Sequence, residues 1–191
     1  MNFELLDNIE IAIYNINITN KKEMNLMLNK NKIVFAKMNE SVIIPSKNEE
    51  NCGYDVYANF EESEMFFAPH QTRLVPTQLK MAMTKDNAFI LKERGSTGSI
   101  GLKCGAGVVD SGYRGEIFVA LTNENDKPLM ISKNYKKTLV EDNLIIYPYT
   151  KAIAQGLLIR VLAIEVEEIS VEDLENIPSE RGTGCLGSSM K

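Results

Sequence analysis

The chain has 191 residues and a formal net charge of −5, and 44% of its residues are hydrophobic. This length and apolar content suit one globular domain with a sizeable core, and no apolar run reaches the roughly 18 residues of a membrane span. The negative charge argues against binding to nucleic acid or to an anionic membrane, so a polyanionic ligand would need a local cationic pocket. The N-terminal region has no basic stretch followed by an apolar block, so we expect no secretory signal.

The cysteine and histidine content argues against a structural zinc site. Cys52, Cys104 and Cys185 are widely spaced, and His70 is the only histidine in the sequence. None of them has the spacing of metal ligands. Free thiols in a reducing compartment are the simplest interpretation, and we expect a cytoplasmic protein.

Residues 1–31 form an N-terminal appendage in the predicted organisation. Ile9, Ile11 and Ile13 alternate with other residues, which indicates one strand. The segment Lys21–Leu28 is long enough for two turns of helix.

From Lys32 onward, short apolar or β-branched runs alternate with turn residues. Strands are predicted at 32–37, 54–59, 72–83, 87–92, 116–122, 129–132 and 152–166, and turns at 51–53, 69–70, 95–101, 111–112 and 123–126. No long amphipathic helical period interrupts them. We therefore predict an all-β fold, a jelly-roll-like sandwich or barrel with little helix.

Two later segments depart from this texture. The segment 124–151 is polar apart from an apolar patch at Leu144–Tyr149, and this pattern predicts an arm or a long hairpin. Ser170 can cap a short helical turn with Asp173 at the third position. We take 32–179 as the β domain and the glycine-rich residues 180–191 as a flexible C-terminal lid, since such a tail cannot order itself.

The stretch Glu93–Gly101 has the composition of an anion-binding loop. Its small residues let backbone N–H groups approach an anion, its hydroxyls add donors, and Arg94 adds a planar cationic fork. It lacks the Gly-Lys-[Ser/Thr] ending of an ATPase phosphate loop. Composition alone explains it equally well as a flexible turn with an exposed arginine.

Two other stretches offer catalytic chemistry. The segment 105–116 is predicted as a hairpin with Asp110 and Tyr113 near its tip, and Asp110 is a candidate general base for water. An aspartate that only hydrogen-bonds its own turn is the commoner situation. The tail from Arg181 to Ser189 repeats the combination of arginine, small residues and hydroxyls, although a frayed terminus has the same composition.

Taken in order, these segments resemble the trimeric dUTPase family over about residues 32–191. The five stretches that carry the resemblance are Gly53–Ala58 (Gly-x-Asp-Leu-x-Ala), Arg94–Ser96 (Pro-Arg-Ser-Gly or Pro-Arg-Ser-Ser), Gly107–Asp110 with Tyr113–Glu116, Ala152–Gln155 (the end of Gly-Asp-Arg-Ile-Ala-Gln) and Arg181–Ser189 (Arg-Gly-x-Gly-Gly-Phe-Gly-Ser-Thr). Glu93 replaces the proline of the second motif, and Thr150-Lys151-Ala152 replaces Gly-Asp-Arg in the fourth.

The resemblance implies hydrolysis of dUTP to dUMP and diphosphate by a homotrimer whose sites are shared between subunits. Asp110 would activate the water that attacks the α-phosphorus. Tyr113 would pack on the deoxyribose and exclude a 2′-hydroxyl. Backbone groups around Ala106, Gly107 and Val108 would read the edge of the uracil.

The same resemblance assigns the remaining contacts to the glycine-rich motifs and the tail. Residues implied to hold or close over the triphosphate are Arg94, Gly95, Ser96, Gln155, Arg181, Gly187, Ser188 and Ser189. Leu186 replaces the phenylalanine that stacks on uracil, which leaves only an apolar contact. Mg²⁺ would ride on the triphosphate through its oxygens and water, without a direct protein ligand.

Two alternatives remain at this stage. Arg94–Leu102 also resembles a motif of the dCTP deaminases, but Ala120 occupies the place of their catalytic glutamate, about ten residues after the aspartate, and a deaminase needs that carboxylate to move protons. A regulatory module is the second alternative, since some phage-type dUTPases carry an extra segment and engage protein partners. Residues 124–151 or 1–31 would then bind a regulatory partner, although a structural embellishment is the simpler explanation.

Overall fold

A computed structural model describes residues 32–183, and in this range short apolar runs form strands separated by tight turns. The elements are β1 (Ile33–Lys37), β2 (Tyr54–Val56), β3 (Glu64–Phe67), β4 (Thr72–Pro76), β5 (Leu79–Met83), β6 (Asn87–Lys92), α1 (Gly95–Gly98), β7 (Leu102–Gly105), β8 (Val108–Asp110), β9 (Phe118–Asn123), β10 (Leu129–Ser132), β11 (Leu139–Glu141), β12 (Leu144–Pro148), β13 (Ala154–Arg160) and α2 (Val171–Glu175). The predicted strand around Ile9–Ile13 and the predicted helix Lys21–Leu28 lie outside the described residues.

The described strands form four small sheets. Their orders are β1-β5, β4-β9-β7, β2-β13-β6-β8 and β11-β12-β10-β3. Every described pair of named strands is antiparallel except β10 with β12, which run parallel. The predicted all-β, jelly-roll-like fold is confirmed.

The core follows from the alternation of side chains along the strands. In β5, Leu79, Met81 and Met83 are buried while Lys80 between them is exposed, as expected of a strand with one face on the core. The fully buried aromatic side chains of Phe89 and Tyr147 belong to two different sheets and to the same core cluster. The sheets therefore pack around one shared apolar interior.

The predicted strands at 32–37, 87–92 and 129–132 match β1, β6 and β10 closely. The prediction of one continuous strand over 72–83 is wrong, because two non-strand residues separate β4 from β5. Gln78 has a positive φ of 52°, and the Thr77 hydroxyl donates to the carbonyl of Ile117 rather than continuing a ladder. The strand predicted at 152–166 ends at Arg160, and the apolar residues Leu162 and Ile164 beyond it are exposed.

The hairpin predicted for residues 105–116 is also wrong. The chain does turn after Asp110, where the N–H of Tyr113 donates to the Asp110 carbonyl over 3.0 Å. β8, however, pairs with β6, while β9 pairs with β4 and β7. After the turn, the chain bonds to β5 and not to β8, since the N–H of Ile117 donates to the carbonyl of Leu79 over 2.8 Å.

The segment 124–151 contributes β10, β11 and β12 to one sheet. β11 and β12 form a hairpin that is much shorter than the arm or long hairpin predicted for the whole segment. Its turn residues Asp142 and Asn143 both have positive φ, as a tight two-residue turn requires. β10 and most of β12 are buried, so this segment supplies core as well as a hairpin.

The chain divides into two compact units, residues 1–161 and 162–191. The second unit contains α2, and the predicted cap is confirmed there, because the Ser170 hydroxyl oxygen accepts from the N–H of Asp173 over 3.0 Å. Neither described helix has the length and hydropathy to cross a membrane. The predicted boundaries after residues 31 and 179 remain predictions.

We expect Gly156→Ala to destabilise the fold. A Cβ at Gly156 would overlap the ring of Phe89, which is fully buried and has no room to move. Overpacking of this kind costs about 1–3 kcal/mol. Urea unfolding should show this loss, and the control Gly105→Ala, whose Cβ would meet no atom within 4 Å, should leave the free energy of unfolding nearly unchanged. Equal stability of the two variants would contradict the packing argument.

Candidate functional site

A depression of about 700 Å³, which we call the Arg94 cleft, lies beside α1. Its lining includes Asp55 of β2, Arg94 and Ser96 at the start of α1, Lys151, and Gln155 of β13. Three separate segments of the chain therefore meet around one polar opening.

The Arg94 side chain is fixed by a two-point ion pair. Its Nε lies 2.9 Å from Asp55 Oδ1, and its terminal nitrogen donates to Asp55 Oδ2 over 3.1 Å. Both side chains are about one-third exposed, at 30% and 32%. The pair orients the guanidinium toward the cleft and offsets its charge. The exposed Lys151 supplies a further cation on the same lining.

The stretch predicted as a loop at 95–101 begins with one helical turn. The N–H of Gly98 donates to the carbonyl of Arg94 over 2.8 Å, which closes the turn. Thr97 is fully buried, and its hydroxyl oxygen accepts from the N–H of Arg94 over 2.9 Å. This bond to the Thr97 hydroxyl holds the Arg94 backbone, and Gly95 and Ser96 are exposed on the cleft.

Gln155 lies on β13, between β2 and β6. β13 pairs with β2 and with β6, and the Gln155 Nε2 donates to the carbonyl of Glu93 over 2.9 Å. A Cβ at Gly53 would overlap the Gln155 side chain. The glycine of the first motif is therefore needed to make space for Gln155.

A smaller cleft of about 200 Å³, which we call the Asp110 cleft, is lined by residues that include Ala106, Val108, Asp110, Tyr113 and Glu116. Asp110 ends β8 and is exposed. A carboxylate so placed can accept a proton from a water molecule in the cleft.

Tyr113 folds back over its own turn beside Asp110. Its hydroxyl donates to the carbonyl of Glu116 over 2.8 Å, and a Cβ at Gly115 would overlap the phenol. The Glu116 carboxylate in turn accepts from the N–H of Gln78 over 2.9 Å. The ring is 45% exposed, so one face is available to a ligand.

The backbone before β8 has an unusual conformation. Ala106 has a positive φ of 47°, which is costly for a residue with a Cβ. The Gly107 carbonyl accepts from the N–H of Leu91 over 2.7 Å, and a Cβ on Gly107 would overlap the Leu91 carbonyl oxygen. Such a fixed, exposed backbone suits recognition of a planar ligand edge.

The structure gathers the predicted site residues into two groups rather than one. Arg94, Gly95, Ser96 and Gln155 line the Arg94 cleft, and Ala106, Val108, Asp110 and Tyr113 line the other, with no residue common to both linings. Gly107 lines neither. β6 separates the groups: Gln155 pairs with Lys92 and Asp110 with Ala88, on opposite edges. Strand geometry then puts the Cα atoms of Gln155 and Asp110 roughly 16 Å apart.

Of the predicted tail residues, the structure describes only Arg181. Arg181 belongs to the unit 162–191, where its N–H donates to the Ser179 hydroxyl over 3.3 Å. Leu186, Gly187, Ser188 and Ser189 lie outside the described residues. Their implied roles remain predictions.

The predicted contacts did not include Asp55 and Lys151, which line the Arg94 cleft, or Tyr147, which lies behind it. Asp55 lies inside the first motif, so the motif itself was a signal for it. Lys151 is the one cation in the divergent fourth motif. Tyr147 gave no signal, because it lies in an apolar patch, yet its hydroxyl reaches to 3.5 Å from the Ser96 hydroxyl.

The chain is similar to known proteins over most of its length. The dUTPase family model matches residues 39–137. A deoxyuridine 5′-triphosphate nucleotidohydrolase from Candida albicans is 30% identical over 151 residues, which cover 78% of this chain and 81% of that protein. A protein of the same name from Clostridium novyi is 29% identical over 163 residues, covering 82% and 99%.

Solved structures with the same fold come from staphylococcal phages. The phage 80alpha dUTPase with dUpNHpp superposes with a TM-score of 0.67 at 18% identity, covering 85% of this chain and all of that one. The dUTPase from phage phi11 gives a TM-score of 0.57 at 17% identity, covering 73% and 96%. An aspartate-to-asparagine variant of the phi11 enzyme is described as coordinating a structural Mg(II) ion.

These matches agree with the resemblance found in the five motifs. The family model spans just over half of the chain, and the match to the Candida albicans relative covers 78% of it. The chain belongs to the dUTPase family.

Proposed function

We propose that the chain hydrolyses dUTP to dUMP and diphosphate. The observation that carries the proposal is the pairing of an Asp110–Tyr113 cleft with a cationic Arg94 cleft in a member of this family. One cleft offers a base and an aromatic face, and the other offers donors for phosphates. Ala120, at the place of the deaminase glutamate, is buried in β9, which favours hydrolysis over deamination.

Asp110 acts as the general base. Its exposed carboxylate accepts the proton of a water molecule as the water oxygen attacks the α-phosphorus, and the bond from that phosphorus to the bridging oxygen breaks. Tyr113 presents its ring to the deoxyribose, where a 2′-hydroxyl would collide. The backbone at Ala106, which lines the same cleft, meets the uracil edge.

The Arg94 cleft stabilises the leaving diphosphate. Negative charge grows on that group as the bond breaks, and a prearranged cation and polar donors stabilise this charge in the transition state. Arg94 is already oriented by Asp55, and Ser96 and Gln155 offer hydrogen-bond donors on the same lining. Little reorganisation is then needed when the phosphates arrive.

Mg²⁺ fits this cleft as a companion of the triphosphate. Both Asp55 oxygens are engaged by Arg94, so the Glu50 carboxylate on the lining is the group that would accept from waters bound to the ion, while the triphosphate oxygens would hold the ion itself. The ion supplies charge neutralisation on the phosphate oxygens when bound. The chain's own part is to hold Asp55 against Arg94 so that both groups face the same space.

The active form is a homotrimer with shared sites. One substrate needs both groups of residues, and within one chain these line separate clefts on either side of β6. A second copy can place its Asp110 cleft opposite the first copy's Arg94 cleft. The free thiols of Cys52 and Cys104 support a reducing, cytoplasmic setting.

Release of diphosphate from dUTP, dCTP and UTP, measured in parallel with Mg²⁺, tests the activity. Hydrolysis of dUTP well above the other two supports the proposal. Ammonia release from dCTP would instead support the deaminase alternative. Absence of turnover with all three, in a folded protein, would reject both activities.

Asp110→Asn should bind dUTP but lose turnover. The amide cannot take the proton of the attacking water, and losses of a general base are about 10²–10⁴-fold in kcat. Steady-state kinetics and binding of a non-hydrolysable analogue measure the two effects. Asp142→Asn, in the β11–β12 turn, is the matched control and should keep full activity. Near-normal kcat in Asp110→Asn would remove Asp110 from the mechanism.

Tyr113→Ala should weaken discrimination between dUTP and UTP. Without the ring, space opens for a 2′-oxygen, and we expect the ratio of kcat/KM for UTP over dUTP to rise about tenfold. Tyr113→Phe keeps the ring and loses only the hydroxyl that bonds Glu116, so it should keep the discrimination. An unchanged ratio in the alanine variant would leave Tyr113 as a packing residue only.

Deleting residues 181–191 should reduce turnover much more than stability. The segment is too glycine-rich to build core, yet it carries a cation and hydroxyls suited to phosphates. We expect kcat/KM for dUTP to fall at least about tenfold, with little change in the urea midpoint. An unaltered rate would show that the segment is passive.

Mixing the deleted chain with Asp110→Asn tests sharing between subunits. If the tail acts on another subunit's Asp110, random trimers should regain about a quarter of the wild-type sites, because each site needs one intact partner of each kind. Mass spectrometry confirms subunit exchange. No recovery after exchange would mean that Asp110 and the tail of each site come from one chain.

A further inference from the structure

A buried phenol lies directly behind the Arg94 cleft. Tyr147 of β12 is fully buried, and its hydroxyl donates to the carbonyl of Ala152 over 2.7 Å. The same oxygen lies 3.5 Å from the hydroxyl of Ser96, which lines the cleft. Tyr147 itself is not part of the lining, so it can affect a ligand only through its neighbours.

Because the Tyr147 hydroxyl has a single proton, it can donate to only one of its two neighbours. A phenol carries one proton, and the short bond to Ala152 uses it. Burial raises the pKa of Tyr147, so that proton stays in place at neutral pH. The phenol oxygen can therefore only accept from Ser96.

Ser96 is thus held between a donor and an acceptor. A terminal nitrogen of Arg94 donates to the Ser96 oxygen over 3.4 Å, and the Tyr147 oxygen is placed to accept the Ser96 proton. Asp55 fixes Arg94 from the other side. The contacts run from Asp55 through Arg94 and Ser96 to Tyr147 and end on the Ala152 backbone.

The lengths of these contacts suit exchange with a ligand. The 2.7 Å bond to Ala152 is strong and fixes the phenol, whereas the 3.5 Å approach to Ser96 is long and weak. Ser96 can turn its proton to an incoming phosphate oxygen at little cost. Before that, the contacts with Arg94 and Tyr147 favour one orientation of the Ser96 hydroxyl, so less side-chain freedom is lost on binding.

We propose that Tyr147 is a positioning residue, which prepares Ser96 to donate to the β- or γ-phosphate of the substrate. The proposal rests on the proposed function. It also gives the segment 124–151 a role in the site, because β12 belongs to that segment. The fourth motif has Thr150-Lys151-Ala152 in place of Gly-Asp-Arg, and here the backbone carbonyl of Ala152 orients the Tyr147 phenol.

The first test is Tyr147→Phe, which removes one hydroxyl and keeps the ring. We expect KM for dUTP to rise about 3- to 10-fold, the size of one lost hydrogen bond, with kcat within about twofold of wild type. Affinity for α,β-imido dUTP should fall by the same factor, while affinity for dUMP, which lacks the outer phosphates, should not change. Equal weakening of both ligands would overturn the proposal.

The second test asks whether Tyr147 acts through Ser96. In a double-mutant cycle, Tyr147→Phe should change KM by less than about twofold in a Ser96→Ala background, because the residue it positions is gone. The same 3- to 10-fold effect in both backgrounds would show a general structural role and overturn the proposal.

Tyr149→Phe is the matched control. Its ring packs on Phe60, with centroids 5.0 Å apart, and it does not line the cleft. It should leave KM unchanged, and urea midpoints of all variants separate lost stability from lost binding. If the wild type does not hydrolyse dUTP, the proposed function fails. If the wild type is active and Tyr147→Phe is kinetically normal, only this inference fails.

Discussion

The double pairing of β6 is the constraint on which both clefts depend. One edge of β6 bonds to β13, which carries Gln155, and the other edge bonds to β8, which ends at Asp110. Because a strand cannot bend back on itself within six residues, these side chains are held apart on opposite sides. In the proposed function the two clefts are half-sites, which assembly with other copies of the chain would join.

Close backbone approach is the second requirement. Gly53 makes room for Gln155, Gly107 lies against the Leu91 carbonyl, and Gly156 lies against Phe89. In each place a Cβ would push a strand out of register or displace a functional side chain. The packing of the chain itself therefore requires these three glycines, independently of any ligand.

The electrostatics reconcile an acidic chain with a polyanionic substrate. The net charge of −5 gives no general attraction, and in the proposed function Arg94 and Lys151, which line one depression, supply the local positive charge. Asp55 offsets part of that charge while it orients Arg94.

The sequence by itself determined the strand character of 32–37, 87–92 and 129–132, the cap at Ser170 and the motif residues around Asp110 and Arg94, because these depend on local propensity and spacing. Tertiary structure decided the break at Gln78, the pairing of β8 with β6 rather than β9, and the entry of Tyr147 behind Ser96. Those outcomes depend on which distant strand offers a free edge and which side chain fills the remaining space. Periodicity along one segment carries no information about either, so only packing of the whole chain could select them.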